Sequence, residues 1–200
     1  MTTLLQIHAS LFGDHGQSSQ LAARFVSAWK ATHADATIIH RDVATDAVPH
    51  LDGRRFAAFT TPAESRSAEQ NEVITYSDAL INELKQADVI VLGLPMYNFG
   101  VPSQLKSYFD HIARAGVTFQ YTATGPKGLL TGKKAYVFAT RGGLYAGTPL
   151  DTQTGYVRDF LRFIGIENVE FLYAEGLAMG PEQKTAALEK AQGDIERLVA

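Results

Sequence analysis

The stretch Val89-Ile90-Val91-Leu92-Gly93-Leu94-Pro95-Met96-Tyr97-Asn98-Phe99-Gly100-Val101-Pro102-Ser103 decides the architecture. It opens with an apolar run that reads as a buried strand, Asp88 to Leu94. It closes on an amphipathic helix, Ser103 to Ala115, which carries Leu105, Phe109 and Ile112. Between the two, Pro95 and Gly100 punctuate a turn. Met96, Tyr97 and Phe99 are apolar there, where a surface connection would ordinarily be polar. Loops at the carboxyl ends of strands form the ligand crevice of open α/β sheets. This one therefore reads as a loop that covers something flat, and the plainer alternative is a hydrophobic cluster packed under its own helix.

The same alternation extends in both directions. Leu4 to His8 reads as a strand, Ser18 to His33 as a helix and Ala36 to His40 as a second strand, one βαβ unit. Leu21, Phe25 and Trp29 recur every four residues and give the helix an apolar stripe for the sheet. A helix over Ser67 to Gln86 precedes the buried strand. Lys134 to Ala139, Thr152 to Ile164, Val169 to Ala174 and Glu182 to Val199 continue as strand, helix, strand, helix. The expected fold is α/β, one domain over residues 1–200. It is a flavodoxin-like, doubly wound, five-stranded parallel sheet of order 2-1-3-4-5, with helices on both faces. Two long connections stand out, Asp42 to Arg66 and Gly116 to Gly132. Long loops in compact domains are usually functional. Within the second, Val117 to Tyr121 alternates in strand fashion before Gly125-Pro126, which points to a small hairpin over the ligand, the alternative being a loop that merely packs.

Composition narrows the function. A net charge of -3 lacks the basic excess that draws a chain to nucleic acid or an anionic membrane. The absence of cysteine excludes disulfides, iron–sulfur clusters and a thiolate nucleophile. The six histidines show no metal-binding spacing, so no metal is expected. No apolar run approaches the roughly 18 residues a membrane helix needs, and the start of the chain has no leader pattern, so the cytoplasm is the default location.

Two further loops join the first. Ser10 to Ser19 runs from the first strand into the first helix, with Ser10, Ser18 and Ser19 as hydroxyl donors beside a helix N-terminus. That composition suits a phosphate, although Ser18 or Ser19 would equally serve as an N-cap. Neither a Walker lysine motif nor a G-x-G-x-x-G is present, so a monophosphate fits better than a triphosphate or a dinucleotide. Thr140-Arg141-Gly142-Gly143 follows the fourth strand, and its glycines let backbone amides approach a ligand closely. Arg141 would otherwise pair a neighbouring carboxylate.

With these loops in order, the chain resembles the FMN-dependent NADH azoreductase and quinone reductase family over nearly its whole length. The residues that carry the likeness are Pro95 to Phe99, Gln104 to Lys106, Ala113 to Phe119, Gly132 to Ala135, Arg141 to Gly143, Phe163 to Ile166 and Ala174 to Gly176. The resemblance implies that FMN is held by Ser10, Gly16, Gln17, Ser18, Met96, Tyr97, Asn98, Phe99, Thr140, Arg141, Gly142 and Gly143, with Tyr145 near the flavin O2 edge. Gly16 stands where serine is common in the family, Thr140 replaces a serine, and Tyr145 replaces a histidine.

The resemblance further implies a two-step exchange without a catalytic side chain. NADH or NADPH gives a hydride to FMN N5 and leaves, and an oxidised acceptor takes its place. Quinones receive two electrons at once, while aromatic azo compounds need two cycles to reach the amines. Phe99, Tyr121 and Phe163 are the expected substrate-binding aromatics. A homodimer with sites at its interface is implied as well. A flavodoxin-type electron carrier, a non-enzymatic FMN-binding redox sensor and a sugar- or nucleotide-binding α/β domain without flavin are the rival readings.

Overall fold

The computed structural model describes residues 2–199. β1 (Thr3–His8) leads through a 3-10 turn, Gly13–His15, into α1 (Gln17–Thr32), and the chain returns as β2 (Thr37–Asp42). α2 (Gly53–Thr60), a second 3-10 turn at Ala63–Ser65, α3 (Ala68–Gln86), β3 (Val89–Pro95) and α4 (Ser103–Ile112) follow. A hairpin of β4 (Phe119–Thr122) and β5 (Gly125–Gly128) precedes β6 (Lys134–Thr140), α5 (Thr152–Phe163), β7 (Asn168–Ala174) and α6 (Pro181–Val199). The main sheet is parallel throughout, in the order β2-β1-β3-β6-β7. With the hairpin set aside this is the expected 2-1-3-4-5, a flavodoxin-like arrangement whose winding reverses between β1 and β3.

Alternation along each strand divides the core in two. Leu5, Ile7, Ile90, Leu92 and Val137 face α3, α4 and α5, where Leu80, Leu84, Leu105, Phe109, Val157 and Leu161 meet them. Leu4, Val91, Tyr136 and Phe138 face Leu21, Phe25 and Trp29 of α1 and Ala191 and Ile195 of α6. Because both faces are covered, β3 reads as an unbroken apolar run. No helix among the described residues is long and apolar enough to cross a membrane. No group of three or more His, Asp or Glu among them is arranged to hold a metal ion.

Beyond shifts of one or two residues at element ends, two features differ from the sequence reading. The connection from Asp42 to Arg66 contains α2, whose start is fixed by Asp52 accepting from the Arg55 amide at 2.8 Å. Eight residues opened by Gly53 are too short a segment to announce a helix on their own, and its stability is tertiary. The helix expected to reach Ala115 stops at Ile112. Arg114 turns inward instead and donates from Nη1 to Ser77 Oγ (3.1 Å) and to Asp78 (2.5 Å). The start of α3 behaves as its sequence suggests. Ser67 and Gln70 form a reciprocal capping box that satisfies two amides.

α2 and α3 close over His111, which is fully buried on α4. Its Nδ1 lies 3.0 Å from the Ser107 carbonyl, its Nε2 has no partner, and the rings of Phe59 and Tyr76 meet it edge-on. Burial pushes the imidazole below its ordinary value, with the Ser107 carbonyl pulling the other way. The neutral form is therefore the folded form. Its contribution to stability is complete above about pH 6.5 and is lost as pH falls toward the lower folded value. His8, depressed chiefly by burial, acts in the same direction. The unfolding free energy from urea titrations is expected to fall between pH 7 and pH 5, by at most about 1.4 kcal/mol per pH unit per histidine. His111→Gln should flatten part of that slope, and an unchanged slope would contradict this account.

Candidate functional site

The loops that follow β1, β3 and β6 meet at the carboxyl edge of the sheet. Tyr97 Oη links the first two, lying 3.5 Å from Ser10 Oγ and accepting from the Leu11 amide at 3.2 Å. The Met96 amide donates to the Thr140 carbonyl at 2.9 Å. Phe99 meets Tyr145 edge-to-face with ring centres 5.5 Å apart, which joins the second loop to the third.

The first loop is a cradle. α1 starts at Gln17 with Gly16 as its cap, so neither Ser18 nor Ser19 serves as the N-cap. The first bond into the helix is from Gln20 N to Gly16 O at 2.9 Å, and the amides of Gln17, Ser18 and Ser19 have no acceptor among the described residues. The hydroxyls of Ser18 and Ser19 are each 1% exposed as residues and lack a partner. Buried donors of this kind carry a desolvation cost that an anionic ligand removes. Gly16 owes its identity to packing, because a Cβ there would come 2.6 Å from Ser10 Cβ. A serine at this position would require Ser10 to move. Gly93 on β3 plays a matching part, since a Cβ on it would sit 3.1 Å from the Ser18 carbonyl oxygen that packs over it.

The second loop is a two-residue hairpin. Tyr97 N donates to Gly100 O at 3.2 Å and Gly100 N to Tyr97 O at 3.0 Å, with φ of 50° at Asn98 and 65° at Phe99. Positive φ at both central residues is the type I′ pattern. Phe99, 48% exposed, pays for it in backbone strain of about 1–3 kcal/mol. The surrounding structure imposes the conformation. Buried Gln153 donates from Nε2 to Pro95 O (2.9 Å) and Gly100 O (3.0 Å), and Thr152 Oγ1 donates to the Phe99 carbonyl. Sequence reasoning missed Gln153. Its signal was a polar residue one turn before Val157 on the inner stripe of α5. Phe99→Gly is expected to leave stability unchanged or raise it by up to about 1 kcal/mol, strain relief being partly offset by glycine's chain entropy. It should also weaken binding of planar substrates. A urea series and the acceptor KM test both halves, and a loss of stability beyond about 1 kcal/mol would contradict the strain argument.

In the third loop the carbonyls of Arg141, Gly142 and Gly143 accept from the amides of Leu177, Ala178 and Gly176 at 2.9–3.1 Å. The Gly142, Gly143 and Leu144 amides have no acceptor among the described residues. Thr140 is buried beneath them. Tyr145 folds back over this segment, so that a Cβ on Gly143 would lie 2.7 Å from its hydroxyl. The Arg141 side chain is 0% exposed and turned away. Its Nη2 donates to Asp151 Oδ1 and Thr154 Oγ1, both at 2.8 Å, its Nη1 to Glu175 Oε1 at 3.1 Å, and Tyr173 stacks on its guanidinium. The guanidinium thus pairs neighbouring carboxylates, and its place in the site is to anchor the loop. Burial raises the Asp151 carboxyl, but hydrogen bonds from Arg141 and Thr154 outweigh it and hold the group below its ordinary value.

Tyr121 and Phe163 lie elsewhere. Phe119 stands between them, 5.5 Å from Tyr121 and 4.2 Å from Phe163, and no ring pairing among the described residues joins this group to Phe99. The reason is topological. α5 begins beside the Phe99 carbonyl and runs antiparallel to the strands for 12 residues, about 18 Å. Phe163 therefore ends at the opposite edge of the sheet, where Leu130 N donates to the Ile164 carbonyl at 2.9 Å.

Comparison with known proteins places this geometry. A family model described as a flavodoxin-like fold matches residues 2–199. The FMN-dependent NADH:quinone oxidoreductase of Cellvibrio japonicus (strain Ueda107) is 57% identical over 200 residues, covering 100% of both chains. That of Alcanivorax borkumensis (strain ATCC 700651 / DSM 11573 / NCIMB 13689 / SK2) is 55% identical over 192 residues, 96% of this chain and 97% of the other. Among solved structures, an FMN-dependent NADH-azoreductase from Bacillus anthracis str. Ames Ancestor in complex with FMN superposes with a TM-score of 0.88 at 27% identity, covering 100% of each chain. An azoreductase from Bacillus anthracis str. Sterne gives a TM-score of 0.90 at 25% identity, covering 100% of this chain and 99% of that one.

Proposed function

The chain belongs to the FMN-dependent NADH:quinone oxidoreductase and azoreductase family of flavodoxin-like proteins, and from that premise we propose that it reduces quinones and aromatic azo compounds with electrons from NADH or NADPH. The observation that carries this reading is the convergence of three strand ends on one set of unpaired donors. The Gln17, Ser18 and Ser19 amides and the Ser18 hydroxyl would hold the FMN phosphate with Ser10 beside them. Met96, Tyr97, Asn98 and Phe99 would cover the ring system, and the Gly142 and Gly143 amides with Tyr145 would face its N1 and O2 edge.

FMN, when bound, supplies hydride acceptance at N5 and two-electron delivery to the acceptor. Donors held at the pyrimidine edge favour the negative charge that develops there, without reorganising as it appears. Thr140 and Arg141 shape the third loop from beneath. Phe99 presents one open apolar surface, which fits donor and acceptor binding in turn rather than together. Azo cleavage on this scheme takes two rounds.

The separation of Tyr121 from Phe99 supports a homodimer in which each copy lends Tyr121 and Phe163 to the other's site. Tyr121 is 75% exposed, and Leu11, Phe12, Leu144, Leu150 and Met179 are exposed apolar side chains on or near the three loops. Association would cover them. The cytoplasm is the compartment in which NADH and NADPH would meet the protein.

The test is spectroscopic. Protein loaded with FMN should bleach on anaerobic NADH and recover on addition of menadione, and sedimentation should give twice the mass of one chain. Bound FMN indifferent to both nicotinamides would replace the enzyme with an electron carrier or sensor. A protein unable to take up FMN would overturn the reading altogether.

A further inference from the structure

We infer that Glu175 is a positioning residue, whose carboxylate fixes the loop after β6 so that its unpaired amides are presented to the flavin. Glu175 directly follows β7, and its side chain is 15% exposed. One oxygen, Oε1, accepts three donors: Arg141 Nη1 at 3.1 Å, Tyr145 N at 2.9 Å and Ala146 N at 2.9 Å. Arg141 is already engaged by Asp151, so one guanidinium serves two carboxylates. The second negative charge is balanced by the Tyr145 and Ala146 amides. A largely buried carboxylate binds such donors strongly and is costly to leave unpaired. The turn at Tyr145 therefore cannot lift away without leaving that carboxylate only the guanidinium it shares with Asp151.

The clasp closes the loop at three points. Arg141 and Asp151, at its two ends, meet each other, and Glu175 pins its middle. Gly176, Leu177 and Ala178, which follow Glu175, occupy the carbonyls of Gly143, Arg141 and Gly142. The amides of Gly142, Gly143 and Leu144 are the donors this arrangement leaves without an acceptor. It also sets Tyr145 against Phe99. The loop is thus organised by a charge cluster before any ligand arrives, which lowers the ordering cost of binding.

The inference rests on the proposed FMN binding, and its test separates the two. Amide hydrogen exchange on the FMN-free protein reads the loop directly, and quenching of FMN fluorescence on titration reads the site. In Glu175→Ala, exchange at Tyr145 and Ala146 should accelerate at least about tenfold and the Kd for FMN should rise roughly tenfold or more. Glu175→Gln keeps the shape and one carbonyl acceptor for the two amides, so it should fold and fall between wild type and Glu175→Ala in both readouts. FMN binding unaffected by both variants would overturn the inference while leaving the proposed function in place, as would faster exchange with an unchanged Kd. A wild-type protein that binds no FMN would overturn both, since the loop would have nothing to present its amides to.

Discussion

Arg141→Met is expected to cost about 3–5 kcal/mol of stability and to leave the protein unable to retain FMN. The guanidinium is 0% exposed and holds Asp151, at 8% side-chain exposure, and Glu175, at 15%. Removing it leaves two inward carboxylates without a cation, the costly way to break a buried ion cluster. Asp151 also caps α5 through the Thr154 amide at 3.0 Å, and its carboxyl is held low partly by Arg141. Relative to wild type, the variant should therefore lose further stability as pH rises from about 4 toward 7. Urea unfolding at two pH values measures this. Combining Arg141→Met with Asp151→Asn and Glu175→Gln should recover much of the stability and little of the FMN retention, because the charges are gone but the loop is no longer pinned. A single variant within about 1 kcal/mol of wild type would show that the cluster contributes little.

Complementation between two impaired chains is the second large effect expected. Gly16→Val puts a side chain where even a Cβ meets Ser10, which should block the cradle while sparing Tyr121 and Phe163. Tyr121→Ala with Phe163→Leu spares the cradle and should lower turnover by roughly 10- to 100-fold through the loss of aromatic contact with planar substrates. If each site combines loops from one copy with aromatics from the other, a mixed dimer holds one intact site. Random mixing should then restore about a quarter of wild-type activity. If Tyr121 and Phe163 served the site of their own chain, every mixed site would lack one half and activity would stay at the sum of the parents. Mixing after denaturation and refolding, or co-expression with two affinity tags, distinguishes these outcomes.

The sheet was legible because its information is local. Leu21, Phe25 and Trp29 mark one helical face, the apolar run at β3 marks a doubly covered strand, and Pro95 and Gly100 mark the turn between strand and helix. The family likeness followed from the same loops in the same order. α2 was not legible, because Gly53 to Thr60 owes its form to contacts with α3 and α4, including Phe59 against His111. The roles of Gln153 and Glu175 were not legible either, since each acts on backbone atoms about 30 to 60 positions away.

The sequence by itself determined the strands and helices of the main sheet and the three loops at its carboxyl edge, because turn chemistry and hydrophobic period depend on near neighbours. Tertiary structure alone decided which groups of those residues are free. It shows Arg141 spent on two carboxylates, Gly16 held by Ser10, the serines of α1 released from capping, and Phe163 carried by α5 to the far edge of the sheet. Hydrogen-bond satisfaction and distance across a fold are sums over contacts between remote segments, and those contacts exist only once the chain has packed.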